Sequence, residues 1–554
     1  MGGIALVVLC CGLYLPGVWS IPPVDRDESR FAQASAQMLA SGTVEGWVVP
    51  RIQEKPRLNK PPLIYWLQAT SAGGFGVEKD MHRGDAESAE KKRELISKAT
   101  TGGTAGDEAG PLPTAGIWAY RLPSVVCAIV AVLLTWRIGV RMFDPRAAWL
   151  GAALLGACVM ELWDARQARA DQLLLATTTA TMLALWNLWD SRNKENRGGA
   201  SRAALFWLVL ALGVMSKGPI TPMIAALTAV CLGVTTGEWG WLKRMRPLIG
   251  LLIVVAVVGP WVFLVAREVG FSRYFSIVID ETVGRSAVAK EGHWGPPGYH
   301  AVMLAVMFWP GSLLAAAAVG RAWKKARAFT AEAQRTQRQK SGKEEFNSGR
   351  ADARGGLGHR LRVALRMNSA RPETFLLCWI VPSWIVFEIV GTKLPHYTLP
   401  LYPAIALLTG RAIFAADAGR LPGARGLGAK LGLGIWLAIG AAIGIVGPLI
   451  AWWNDWIEPP INQQAIVMAS MFALLMLVCV SNLLGRRPGG AHERGRFVAA
   501  HLSAIGATVV ASALAFGSLL PVASPLWITS RLMRDIEHID PFGERPIAAI
   551  GYSE

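Results

Sequence analysis

Apolar runs long enough to cross ~30 Å of hydrocarbon recur from the first residues almost to the end of the chain, about thirteen in all once a few polar residues are admitted into the shorter ones. A soluble fold of this size cannot bury so much apolar surface: of 554 residues 52% are hydrophobic and only 17% charged, and the mean hydropathy is +0.35. The sequence therefore predicts an all-α polytopic membrane protein.

The first run, Ile4 to Val18, lacks a basic start, and Pro22-Pro23 followed by acidic residues stands where a cleavable leader would have small ones. It reads as a retained first helix. The seven cysteines (Cys10, Cys11, Cys127, Cys158, Cys231, Cys378, Cys479) all fall inside apolar runs without metal-type spacing. They read as small core residues and argue against a cysteine-held zinc.

Basic residues set the orientation. Loops after the even-numbered spans hold Arg141 and Arg146; Arg192, Lys194 and Arg197; Lys243, Arg244 and Arg246; Arg411, Arg420 and Arg425; and Arg486, Arg487, Arg494 and Arg496, while residues 321–371 are richer still. Such loops resist translocation and stay cytoplasmic. The formal charge of +17 is then a matter of topology and of attraction to anionic membrane lipids, and nucleic acid is not an expected partner. The opposite set faces out: residues 22–115, 161–171, 216–219, 267–298, 391–397, 452–464 and the C-terminal tail.

The expected layout is a membrane domain over 1–520 with a large first outward loop, 22–115, a basic cytoplasmic loop, 321–371, and an outward tail, 521–554. Within the first loop, Glu28 to Leu39 can form an amphipathic helix whose apolar face (Phe31, Ala34, Ala36, Met38 or Leu39) suits the membrane interface. Pro61-Pro62 opens a second segment, Leu63 to Ala69, with Tyr65 and Trp66 suited to headgroup level. Residues 78–115 turn to Lys, Glu, Gly, Ala and Thr, the composition of a disordered insertion. In the tail, Pro546 to Tyr552 reads as an opening β-strand, the truncated start of a soluble domain.

Three polar clusters interrupt this apolar pattern on the outward side. In Asp25-Arg26-Asp27-Glu28-Ser29-Arg30 a carboxylate at the bilayer exit can serve as general base, with Arg30 one helical turn from Asp27 to orient it or hold a phosphate. Ordinary interfacial polarity would look the same. In Arg57-Leu58-Asn59-Lys60-Pro61-Pro62, Lys60 either snorkels to headgroups or clamps the phosphate of a lipid carrier. In Gly391 to Pro400 two prolines restrain a loop holding Lys393, His396 and Tyr397, so these side chains can be held in place rather than waving in water. Lesser candidates are Asp164, Arg166, Arg169 and Asp171, Ser216-Lys217-Gly218-Pro219, and Glu281, Arg285 and His293.

Asp27-Glu28-Ser29-Arg30-Phe31-Ala32-Gln33, Asn59 to Trp66, Ala168-Arg169-Ala170-Asp171 and Lys393 to Pro403, taken in order, resemble the successive motifs of the bacterial aminoarabinose-to-lipid A transferase and protein O-mannosyltransferase family. The resemblance implies a type C glycosyltransferase fold and inverting transfer of a sugar from a polyprenyl phosphate donor to a lipid, glycan or protein acceptor. It places that chemistry at the periplasmic face of the bacterial inner membrane. It assigns the catalytic role to Asp27 and a donor-phosphate role to Lys60, and it puts Arg30, Asp171 and Tyr397 in the same cavity. Glu28, Arg169, Lys393 and His293 complete the expected substrate-binding set. Two departures bear on a divalent metal. Asn59 and Thr282 stand where the resemblance would offer Glu and His to zinc, so no zinc is expected at this position; a divalent metal stays an open alternative, with His293 read as a donor to phosphate or sugar or else as a replacement ligand. The alternative reading is a transporter or flippase of a lipid-linked sugar. It fits less well, because transporters bury ionisable residues at mid-membrane and show repeated halves, whereas these charges gather at helix ends.

Overall fold

The computed structural model describes residues 1–77, 116–190, 199–284, 294–327, 357–414, 427–446, 448–449, 453, 461–484, 490–523 and 527. The insertion expected over 78–115, the strand expected at 546–552 and most of the 521–554 tail lie outside the described residues. Of the 321–371 loop, residues 321–327 continue a helix and the Leu357–Ile389 helix begins inside it.

Almost everything described is helix. Among the described residues six helices are long and apolar enough to cross a membrane, Ile117–Met142, Gly199–Lys217, Pro247–Val269, Arg371–Ile389, Gln463–Leu484 and Gly495–Val522, and Gly2–Tyr14, Ile220–Thr236 and Leu431–Ile445 are shorter apolar helices. The protein is a multi-pass membrane protein. The Asp171–Asp190 helix falls outside that count by composition, its four threonines and polar ends lowering its hydropathy, and nearly all its side chains are buried among other helices. Its threonine hydroxyls bond back to carbonyls one turn earlier, and Thr178 meets Thr221 of the neighbouring helix at 2.8 Å.

Small residues bring other helices together. A Cβ on Gly410 would lie 2.5 Å from the Ala147 carbonyl, and one on Gly151 would lie 2.8 Å from the Ala406 carbonyl. The Pro145–Gly156 and Tyr402–Ile413 helices therefore touch backbone to backbone. That contact anchors the single-turn-pitch segment Pro395–Leu401 leading into Tyr402.

The loop after the first helix is ordered by its own amphipathic pattern. Asp25 caps the Arg26–Ala40 helix by accepting from the Glu28 N–H at 2.7 Å. The apolar face forms as expected, with Phe31, Ala34 and Met38 buried, but it packs on protein and does not lie in the membrane interface. It meets the Leu63–Gly74 helix, where Phe31 stacks on Tyr65 at 5.1 Å and Ser35 donates to Gln68 at 2.8 Å. Tyr65 is fully buried rather than at headgroup level. A two-stranded antiparallel hairpin, Arg51–Ile52 against Lys55–Pro56, joins the two helices.

One buried ion pair ties this loop to the bundle. Arg121, on the Ile117–Met142 helix, donates to both Glu28 carboxylate oxygens at 2.7 and 3.0 Å, and to the carbonyls of Val18, Ile21 and Pro22 at 2.9, 2.7 and 3.0 Å. Glu28 also accepts from the N–H groups of Val24 (2.7 Å) and Ala168 (3.1 Å). Both groups are essentially solvent-free, so removing one strands a buried charge. Arg121→Ala should lower unfolding stability by ~3–5 kcal/mol. Arg121→Lys should recover little of this, because an ammonium lacks the planar fork. Thermal melting in detergent checks both, and an unchanged midpoint for Arg121→Ala would contradict the assignment.

Candidate active site

A cavity of about 600 Å³ opens where the second and third sequence clusters meet. Most of its wall is apolar, including Val214, Val258, Trp261, Val262, Val278 and Phe387, and its polar lining is Asn59, Lys60, Asp171, Lys217, Glu281, Thr392, His396 and Tyr397. Each polar group arrives at a helix end. Lys60 precedes the Pro61-Pro62 step into the Leu63–Gly74 helix, Asp171 opens the Asp171–Asp190 helix, and Lys217 closes the Gly199–Lys217 helix before the Gly218-Pro219 turn. His396 and Tyr397 sit on the proline-bounded segment Pro395–Leu401.

Ion pairs organise this wall. Asp171 is paired with Lys217, lies 3.6 Å from the Arg169 guanidinium and is 3.8 Å from His396 Nε2. Lys60 Nζ is 3.9 Å from Glu281. Burial would raise the Asp171 carboxyl, but Lys217, His396 and Arg169 outweigh it and hold the group well below the usual carboxylate range. Burial lowers His396 to about 3, despite the opposing pull of Asp171, so its imidazole is neutral at physiological pH.

Asp27 occupies the rim, 49% exposed, between the guanidiniums of Arg30 at 3.9 Å and Arg57 at 3.8 Å. Arg57 is itself fixed, donating to the Tyr65 hydroxyl at 3.0 Å and lying 5.1 Å over the Phe31 ring. Arg169 joins rim to wall, bonding Asp25 at 3.1 Å and Gln167 at 2.7 Å while facing Asp171. Asp27 is close enough to act electrostatically on both Arg169 and His396.

The residues expected from sequence thus fall into three groups. Lys60, Asp171 and Tyr397 line the cavity, and Asp27, Arg30 and Arg169 form the charged network at its rim. Glu28 is turned into the protein against Arg121. Lys393 is directed away from the cavity, 3.0 Å from the Pro296 carbonyl and 3.5 Å from Glu388. His293 and the Thr282 side chain lie outside the described residues. Sequence reasoning ranked Lys217 among lesser candidates, named His396 as a held loop side chain without giving it a substrate role, and gave Arg57, inside a quoted cluster, no role. Arg121 it missed altogether, although an arginine inside an apolar span is itself a signal.

The lining residues do not fit a divalent cation. Asp171 and Glu281 are each paired with a lysine, and Asn59 contributes a neutral amide whose oxygen is buried without a hydrogen-bond partner. Among the described residues no group of three or more His, Cys, Asp or Glu side chains is placed to hold a metal.

Comparison with known proteins agrees with this geometry. The family profile described as dolichyl-phosphate-mannose-protein mannosyltransferase matches residues 112–263. An undecaprenyl phosphate-alpha-4-amino-4-deoxy-L-arabinose arabinosyl transferase of Pseudomonas aeruginosa is 24% identical over 408 residues, covering 72% of this chain and 56% of that protein. A like-named transferase of Pseudomonas fluorescens is 23% identical over 495 residues, covering 86% of this chain and 70% of its own length. The crystal structure of ArnT from Cupriavidus metallidurans bound to undecaprenyl phosphate superposes with a TM-score of 0.62 at 17% identity, over 97% of this chain and 79% of that one. In sequence the chain is similar to these arabinosyl transferases and, over residues 112–263, to the mannosyltransferase profile. It has the type C glycosyltransferase fold, and it spans a little over half the length of the P. aeruginosa relative, 56%.

A second carboxylate lies behind the wall. Asp164 accepts from Gln172 at 3.1 Å, and burial, followed by the charge of Asp171, pushes its carboxyl from the ordinary 3.8 up to about 7. The folded protein then holds a proton that the unfolded chain releases from about pH 4 upward, so Asp164 costs stability progressively as pH rises from about 4 to about 7. Asp164→Asn removes that slope. Its melting temperature should gain on the parent protein's across this window when the two are melted in parallel from pH 4 to 8. Identical slopes would show that Asp164 does not hold the proton.

Proposed function

We propose that this protein is an inverting glycosyltransferase that moves a sugar from a polyprenyl phosphate donor to an envelope acceptor, a lipid, glycan or protein, at the periplasmic face of the bacterial inner membrane. The observation that carries the reading is a single half-exposed carboxylate, Asp27, held between two guanidiniums beside an apolar cavity into which Lys60 and Lys217 project. The names of the relatives, and the undecaprenyl phosphate bound by the Cupriavidus enzyme, support the same donor class.

The chemistry follows from placement. The apolar wall accommodates isoprenoid, while the cationic side chains meet the phosphate that joins it to the sugar. Asp27 takes the proton from the acceptor hydroxyl or amine as that group attacks the anomeric carbon from the side opposite the phosphate. The carbon–oxygen bond to phosphate breaks, its electron pair stays with the phosphate, and Lys60 and Lys217 stabilise the growing negative charge. Attack opposite the leaving group inverts the anomeric centre. Arg30 and Arg57 orient Asp27, and no step passes through a metal.

Two measurements test this. Asp27→Asn should fold normally and lose at least ~100-fold in transfer from a radiolabelled polyprenyl phosphate sugar, and Lys60→Met should lose a comparable ~100-fold. Normal transfer by Asp27→Asn would overturn the assignment, and movement of intact donor across vesicles without product would favour transport instead. Transfer should also survive exhaustive treatment with a chelator, within about 2-fold, because the cavity's carboxylates are neutralised by lysines. Loss restored by zinc would reverse that reading.

A further inference from the structure

We propose that Lys393 is a positioning residue, which latches the turn at residues 294–298 to the loop carrying His396 and Tyr397 and does not itself grip the donor. The proposal rests on the transferase reading above and says how one wall of that site is held. Lys393 is 6% exposed, and its ammonium group donates to the Pro296 carbonyl at 3.0 Å and lies 3.5 Å from Glu388. The same Glu388 carboxylate accepts from the N–H groups of Gly298 (3.2 Å) and His300 (3.1 Å). One carboxylate at the end of the Leu357–Ile389 helix thus grips the lysine and the C-terminal end of the turn.

The backbone closes the same latch. Trp294 and Thr392 form an antiparallel bridge, and a Cβ on Gly295 would sit 3.1 Å from the Lys393 Cδ atom, so the lysine stem runs flat along the glycine backbone. Consecutive side chains of extended chain face opposite ways. Thr392 lines the cavity, and Lys393, the next residue, is turned into the 294–298 turn. A phosphate reaching this ammonium would have to come up against the Glu388 carboxylate, which repels it. Lys393 therefore acts on the cavity through the position of Thr392, His396 and Tyr397.

A cysteine pair distinguishes positioning from contact. Bridged residues lie ~4.5–5.5 Å apart between Cα atoms, within disulfide reach, so Trp294→Cys with Thr392→Cys can replace the latch covalently. Cross-linking is read by mass spectrometry of the joined peptides, and transfer is read in the oxidised and reduced forms of the same protein. With Lys393 intact the pair should link rapidly, and adding Lys393→Met should slow linking ~10-fold. In the reduced state Lys393→Met should cost ~10–100-fold in transfer, as a displaced wall does, and oxidation should restore it to within ~3-fold. Glu388→Gln, which keeps the shape of the latch, should show the same pattern more weakly, and it carries the test if Lys393→Met fails to fold. A transfer loss that oxidation does not repair would make Lys393 a substrate ligand, and an unchanged linking rate would mean that no latch exists. Either result overturns the proposal. If even the parent protein transfers no sugar, the transferase reading fails while the linking rates still decide the latch.

Discussion

The Arg121–Glu28 pair is the constraint on which the rest of the active end depends. A chain that leaves a membrane helix and must place a reactive carboxylate a few residues later has little to hold it, because loop backbone at a helix exit has unsatisfied carbonyls and no core of its own. Arg121 answers both needs. It takes up the carbonyls of Val18, Ile21 and Pro22, and its charge is matched by Glu28, which reaches on to Val24 and Ala168. The neighbour of Glu28 in the chain is Asp27. Once Glu28 is locked inward, the helix geometry leaves Asp27 at the rim, where Arg30 and Arg57 meet it.

The adjacent carboxylates Asp27 and Glu28 therefore do opposite work through burial alone. Glu28 has no solvent exposure and a complete set of donors, which makes it a fixed point of the structure. Asp27 is half exposed, with partners at 3.8 and 3.9 Å, distances that leave room for an acceptor to approach. Lysines divide in the same way. Lys60 and Lys217 face the cavity with carboxylate partners beside them, whereas Lys393 is committed to backbone and Glu388 on the other side of its loop.

Much of this was legible in the sequence, and what was not has identifiable causes. The apolar runs gave the membrane class, and the order of the polar clusters gave the fold and most of the wall, because helix termini are where a membrane protein can keep charged groups. The amphipathic helix at Arg26–Ala40 was equally plain from its periodicity, but periodicity cannot say whether an apolar face meets lipid or protein. Here a stacked Phe31–Tyr65 pair decided it. The Asp171–Asp190 run is helical and deeply packed, and its threonine hydroxyls are satisfied within the helix or, at Thr178, by Thr221 of a neighbour. The division of labour between Asp27 and Glu28, or between Thr392 and Lys393, was not readable at all. It turns on which way adjacent side chains point, and contacts more than ninety residues apart set that direction, Arg121 for one pair and Pro296 for the other.

The same logic explains why the cavity is chemically asymmetric. Its apolar side is built by Val258, Trp261, Val262 and Val278, drawn from the Pro247–Val269 helix and the helix after it, both of which expose much of their remaining surface. Its charged side is built by helix ends packed into a buried part of the bundle, where Asp171 is neutralised by Lys217 and Arg169 with the His396 ring beside it. On the proposed reading, a long isoprenoid is met by the lightly packed wall, and phosphate and sugar by the densely paired one. Charge stabilisation needs dipoles and ions fixed before the reaction begins, whereas a flexible hydrocarbon needs only a dry, yielding surface. The fold supplies each kind of wall on the side where its own packing produces it.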